Sequence, residues 1–152
     1  VETKENLRIE ELVIVVDTSY STSGELVKKF LRETFTILSE TDSFFRKRKI
    51  HIIQCDELVH SDITVTGDTD IDILINNFDL AGGGNTDFRP AFEYVNNLID
   101  TGEIKKLQGL LYFTDGKGKY PKKKMPYNTA FVFIDKLSET AVPAWAMKVS
   151  LE

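Results

Sequence analysis

LVIVVDTSYS, residues 12–21, is the stretch on which the fold turns. Leu12 to Val16 is an unbroken apolar run rich in β-branched residues, the pattern of a strand buried on both faces. It stops abruptly at Asp17-Thr18-Ser19-Tyr20-Ser21, where every residue carries a polar atom. Beyond it, from Gly24 to Ser39, Leu26, Val27, Phe30, Leu31, Phe35 and Leu38 recur at spacings of three and four. That spacing predicts one apolar face of a helix. A doubly buried strand that hands over to an amphipathic helix is how an α/β domain begins.

The same alternation continues outward. Lys49 to Gln54 (KIHIIQ) reads as a second strand and Val59 to Thr66 as a third. The gap between them is too short for a parallel return, so they form an antiparallel hairpin. Ile71 to Asn77 reads as a short helix, and Gly82-Gly83-Gly84-Asn85 as a loop. Pro90 stands where a helix begins, since proline is tolerated in a first turn. Phe88, Ala91, Phe92, Val95, Leu98 and Ile99 supply its apolar face. Leu110 to Phe113 is another buried strand, ending in Thr114-Asp115-Gly116. Lys117 to Tyr127 is a basic, proline-punctuated loop. Ala130 to Ile134 is a strand, 136–143 a connector, and Ala144 to Val149 a last short strand. The fold class is therefore α/β, with a mostly parallel sheet covered on both faces.

The 152 residues correspond to one domain, with residues 1–11 a polar lead-in and 12–150 the folded unit. Apolar residues at 41% and charged residues at 28% are an ordinary globular balance. No stretch approaches the roughly 20 apolar residues of a membrane span, and no signal peptide opens the chain. The single cysteine, Cys55, fits a reducing compartment and a cytoplasmic location. A net charge of −5 argues against nucleic acid as the partner. Val1 at the start and Leu151-Glu152 at the end suggest a piece excised from a longer protein.

Three polar segments stand where strands end or helices begin: Asp17 to Ser21, Thr86-Asp87 and Asp115-Gly116. In an open α/β sheet, ligands bind outside the carboxyl ends of the strands, so these segments are expected to meet at one edge. Their atoms suit a hard cation. Mg²⁺ takes oxygen ligands in octahedral geometry, with few carboxylates and several retained waters. Asp17, Ser19 and Ser21 alternate, Thr86 adds a hydroxyl and Asp115 a second carboxylate. Taken singly, each segment has a plainer reading. Asp17, Ser19 and Ser21 suit a helix cap, as do Thr86 and Asp87, and Asp115-Gly116 suits a turn. Their joint order along the chain favours the cation.

Other polar groups carry weaker signals. His51, Cys55 and His60 match no common zinc spacing, and Cys55 reads better as a small buried hydrophobe. Asp56 fits a hairpin residue better than a group supporting the cation edge. Lys117, Lys119, Lys122, Lys123 and Lys124 follow Asp115 and could steer an acidic partner, although charge runs are more often a solvated loop. Asp68, Asp70 and Asp72 alternate as in a calcium loop, without the glycine such a loop needs.

D-x-S-x-S after the first strand, a threonine in a glycine-rich loop and a later aspartate at a strand end together resemble the metal-ion-dependent adhesion site of von Willebrand factor A (VWA) domains. GGGNTDFRPAF (82–92) and LLYFTDGKGKYP (110–121) look like the VWA-like domain at the C-terminal end of bacterial proteins classed as metallopeptidases. The resemblance implies a Rossmann-like, three-layer α/β/α VWA fold with a six-stranded, mostly parallel sheet and one antiparallel edge strand. It implies that Ser19 and Ser21 ligate Mg²⁺ (or Mn²⁺ or Ca²⁺) directly. Thr86, Asp17 and Asp115 would bind directly or through water. It further implies a protein-binding module without chemistry of its own. The ion would bridge to an acidic group on a protein partner or on another domain of the same chain, with no nucleic acid or membrane involved. Tyr20 stands where many VWA domains have glycine, and Asn85 replaces a glycine of the loop. No HExxH peptidase motif is present. Two other readings compete. One is a Mg²⁺-dependent phosphohydrolase or phosphotransferase with Asp17 as nucleophile, although no P-loop is present and Ser19 occupies the second position of the D-x-D motif. The other is a scaffold with a vestigial site.

Overall fold

The computed structural model describes residues 10–19, 24–39, 48–133 and 142–150. Tyr20, Ser21, Ile134 and most of the 136–143 connector lie outside them. Six strands form one sheet: β1 (Glu10–Asp17), β2 (Arg48–Cys55), β3 (Val59–Val65), β4 (Leu107–Thr114), β5 (Asn128–Phe133) and β6 (Met147–Ser150). Among the described residues, three helices accompany them: α1 (Gly24–Ser39), α2 (Ile71–Asn76) and α3 (Arg89–Asp100). The strand order is β3-β2-β1-β4-β5-β6, parallel throughout except for β3, which runs antiparallel to β2 at the edge. The expected mostly parallel six-stranded sheet with one antiparallel edge strand is what forms.

β1 begins at Glu10, two residues inside the expected lead-in, and the Glu11 carboxylate accepts hydrogen bonds from the N–H groups of Lys105 and Lys106 at 2.7 and 3.1 Å. A polar opening residue can therefore join a buried strand when its side chain satisfies a neighbouring turn. The last strand is shorter than Ala144–Val149. Residues 144 and 145 form a turn and pairing with β5 starts at Met147.

Alternation divides the core. Ile14 and Val16 of β1 and Ile50 and Ile52 of β2 face α1, meeting Val27, Phe30, Leu31 and Phe35. Leu26 belongs to the same predicted stripe but is 36% exposed, at the stripe's margin. α2 joins this layer through Ile75, capped by Asp70, whose carboxylate accepts from the Ile73 N–H at 3.1 Å. That cap absorbs part of the aspartate run that looked like a calcium loop. Val13 and Val15 face the other way and pack with Phe88, Ala91, Phe92 and Val95. Tyr112, Phe88, Phe92 and Phe131 form an aromatic cluster there, with ring centroids 5.0–6.1 Å apart.

A polar chain also crosses this second layer. His51 on β2 pairs its Nδ1 with Asp62 on β3 at 2.9 Å, and the Tyr94 hydroxyl of α3 donates to the same carboxylate at 2.6 Å. The hairpin is thus tied to the helix that covers it. Burial would raise the Asp62 carboxyl, but the bonds from His51 and Tyr94 outweigh it and hold the group below its ordinary range.

Phe113 and Phe30 stack at 4.3 Å between centroids, and both are buried. Truncating a buried phenylalanine removes its transfer energy and leaves a cavity. Phe113→Ala should therefore destabilise the fold by about 3–5 kcal/mol in urea denaturation. A loss below about 1 kcal/mol would mean that the α1 layer does not close on the sheet as described.

Candidate functional site

The sheet has one topological switch point. From β1 the chain passes to β2 on one side, and β4 later enters on the other. Crossovers leaving in opposite directions open a crevice beyond the carboxyl ends of β1 and β4, where α/β proteins bind ligands. Asp17 ends β1, and Asp115 follows the last residue of β4.

Asp17 is fully buried. Its Oδ1 accepts the Ser19 N–H at 2.8 Å and its Oδ2 accepts the Thr114 hydroxyl at 2.5 Å. Thr114 falls on the α3 face by the same alternation as Leu110 and Tyr112, so its hydroxyl reaches across to Asp17. It also accepts the Gly116 N–H at 3.0 Å, which fixes the turn carrying Asp115. One buried threonine therefore joins two of the expected segments. Burial pushes the Asp17 carboxyl up, and the Asp115 charge adds to that, against the hydrogen bonds from Thr114 and Ser19.

The third segment is brought in by the glycine loop. The Gly83 N–H donates to the Thr18 carbonyl at 2.8 Å. Gly82 has φ +128°, and a Cβ there would sit 2.6 Å from the Thr18 hydroxyl and 3.0 Å from the Asp56 carboxylate. Only glycine allows both that backbone angle and that approach. Thr86 then lies against the loop after Asp115, where a Cβ on Gly118 would meet the Thr86 methyl at 2.7 Å. The Phe88 N–H donates to the Lys119 carbonyl at 3.0 Å, and Asp87 and Lys119 form a parallel bridge. Asp17, Ser19, Thr86 and Asp115 thus stand on three segments locked to one another at the rim. Ser21 lies outside the described residues.

Three supporting residues, Asp56, Gln54 and Thr114, do more than the sequence indicates. Asp56 does end the hairpin, accepting the Leu58 N–H at 2.9 Å, but it also accepts the Gly84 N–H at 3.0 Å and pairs with His60 at 2.8 Å. Its own carbonyl accepts the Asp87 N–H at 3.2 Å. Burial would raise this carboxyl, but the Leu58, Gly84 and His60 bonds prevail and hold it below its ordinary value. Gln54 grips the chain just before the glycines, accepting the Ala81 N–H at 2.7 Å and donating to the Asp79 carbonyl at 3.0 Å. A polar residue inside the apolar run of β2 was the available signal. Thr114 gave no signal of its own, since threonine is common in strands.

The competing assignments resolve locally. Among the described residues no three His, Cys, Asp or Glu side chains gather as a metal cluster. His51 and His60 are each engaged by an aspartate, and the Cys55 thiol is buried beside Tyr112 and pushed up to about 12 by burial. Cys55 is the small core residue that its strand position indicates. Asp87 receives the Arg89 N–H at 3.0 Å and the Arg89 guanidinium at 2.8 and 2.9 Å, holding the first turn of α3.

Residues 12–152 match the family described as VWA-like domain (DUF2201). The chain belongs to this VWA-like family. Solved structures agree on the fold. The SpRpn10 VWA domain is similar with a TM-score of 0.57 and 13% identity, over 94% of this chain and 88% of that one. An aerotolerance-related membrane protein from Bacteroides fragilis is similar with a TM-score of 0.54 and 14% identity. There the match covers 81% of this chain and 66% of the other, just under two thirds of its length. No curated protein matches the sequence. Among the described residues of this VWA-like domain, no helix is long and apolar enough to cross a membrane.

Asp56→Ala should destabilise the domain by about 1–3 kcal/mol, because two backbone donors lose their acceptor. The pH dependence has a definite sign. A carboxyl held low in the folded state stabilises above its unfolded value of 3.8, and the benefit vanishes as pH falls through the folded value. The gap between wild type and variant, followed by thermal melts, should therefore shrink as the pH falls from 3.8 through the lower folded value. A gap that stays constant into strong acid would refute the Asp56 assignment.

Proposed function

We propose that this VWA-like domain is a divalent-cation-dependent protein-binding module, with Asp17, Ser19, Ser21, Thr86 and Asp115 as its cation-binding residues. The observation that carries this reading is the meeting of the three segments at the switch point, tied by Thr114, Gly82 and Gly118. The residues fit such an ion. Two carboxylates and several hydroxyls are hard oxygen donors, and Mg²⁺ favours few carboxylates with retained waters. Mn²⁺ and Ca²⁺ accept the same donor type. When bound, the cation supplies an electrophilic position that an acidic group of a partner can fill.

The chain's own residues do the rest. Thr114 and the Ser19 N–H fix the two oxygens of Asp17. Asp56 and Gln54 hold the glycine loop that delivers Thr86. The same arrangement weighs against attack by Asp17. A nucleophilic carboxylate must reach its substrate, whereas this one is fully buried with both oxygens engaged. Binding, not phosphoryl transfer, is the better reading. The partner is a protein, or another domain of a longer parent chain such as a metallopeptidase, and the cytoplasm is the compartment that Cys55 suggests.

Isothermal titration with Mg²⁺ and Mn²⁺ tests this directly. Wild type should bind one ion, and Asp115→Asn should abolish the heat. Thr114→Val, which keeps the shape but frees Asp17, should weaken binding roughly 10–100-fold, as loss of an outer-shell partner does. If wild type gives no heat with either ion, alone or with a carboxylate-bearing peptide, the cation reading is wrong.

A further inference from the structure

A groove opens beside the rim, between α3 and the loop that follows β4. It has a volume of about 240 Å³. Phe92, Pro121 and Met125 form an apolar floor, and Arg89, Lys122 and Lys123 stand around it. Arg89, Phe92, Glu93 and Asn96 line it from one side at helical spacing, so the groove runs along one face of α3. Its upper end is Arg89, held by Asp87 and only three residues from Thr86.

The floor is built, not incidental. The Asn96 amide contacts the Met125 sulfur at 3.7 Å and its oxygen accepts the Tyr127 hydroxyl at 3.1 Å. The Trp145 indole N–H donates to the Pro121 carbonyl at 3.3 Å. These bonds hold the 121–127 loop against α3 without any regular secondary structure. Lys122 and Lys123 remain exposed.

We propose that this groove docks an acidic segment of a protein partner that carries one large apolar side chain. Charge complementarity selects the occupant. Exposed Lys122 and Lys123 border an apolar hollow, whereas Arg89 is already paired with Asp87 and Glu93 is an opposing charge on the wall. This cationic border belongs to a chain whose net charge is −5, so it is local and does not follow from a generally basic surface. Size selects the anchor. The groove's volume of about 240 Å³ leaves room for one leucine-to-phenylalanine side chain, since about 150 Å³ already suffices for benzene in a closed cavity, while flanking carboxylates meet Lys122 and Lys123. A nucleic acid would need a longer cationic track. The proposal rests on the reading of this edge as a protein-binding surface, but not on the cation.

Selection of random short peptides on the whole domain in EDTA tests it. Selected sequences should place Asp or Glu around one Leu, Phe or Trp, and replacing that anchor by Ala should abolish binding. Reversing both groove lysines (K122E with K123E) should weaken binding by at least about tenfold, since charge pairs at such a rim set affinity at low salt. K29E with K148E, an equal charge change at exposed sites elsewhere, should leave it within about twofold. The proposal is overturned if no peptide is selected, or if selected peptides lack acidic enrichment. It is also overturned if they bind K122E/K123E equally well, or if single-stranded oligonucleotide binds the groove while peptides do not. Binding in EDTA keeps the outcome separate from the cation, because a domain that ignores Mg²⁺ can still pass, and one that binds Mg²⁺ can still fail.

Discussion

β1 sits between two parallel neighbours and under two layers of side chains, so Val13 to Asp17 are fully buried. The chain has to leave that environment at its carboxyl end, and it does so through a carboxylate. Burying such a group is costly unless hydrogen bonds compensate. The rim of the domain is organised around that compensation. Thr114 from the adjacent strand and the Ser19 N–H from the outgoing turn meet the two oxygens of Asp17, and in doing so they fix the directions in which two loops depart. The third loop is then placed by contact, with glycines where a side chain would collide.

The supporting layer behaves as a chain of acceptors. Gln54 and Asp56, near the end of β2, collect backbone donors from residues 58, 81 and 84. Loop backbone at the surface usually relies on water for its hydrogen bonds. Here side chains from a rigid strand provide them, so the loop is shaped before any partner arrives. Preorganisation of this kind reduces the ordering cost of binding.

Much of this was legible in the residues. The unbroken Leu12–Val16 run, the three-and-four spacing of Val27, Phe30, Leu31 and Phe35, and the short gap before Val59 fix strand type, helix face and hairpin by periodicity alone. The chain order of Asp17, Thr86 and Asp115 pointed to one edge because each follows or precedes an element with a known direction. Thr114 was not legible, because its role depends on a partner 97 residues away on a neighbouring strand. Asp56 was half legible. A hairpin position is local, whereas its grip on Gly84 is set by tertiary packing. Glu10 and Glu11 misled for a similar reason, since the acceptor role of Glu11 is visible only once Lys105 and Lys106 have turned toward it.

The single tryptophan has a practical consequence. Trp145 lies edge-on to Phe92 at 6.0 Å and bonds through its indole to the loop that closes one wall of the hollow. Its emission depends on that polarity and packing, so the molecule carries a built-in optical probe on the far side of the 121–127 loop. Displacement of that loop registers as a change in intrinsic fluorescence, with no dye attached.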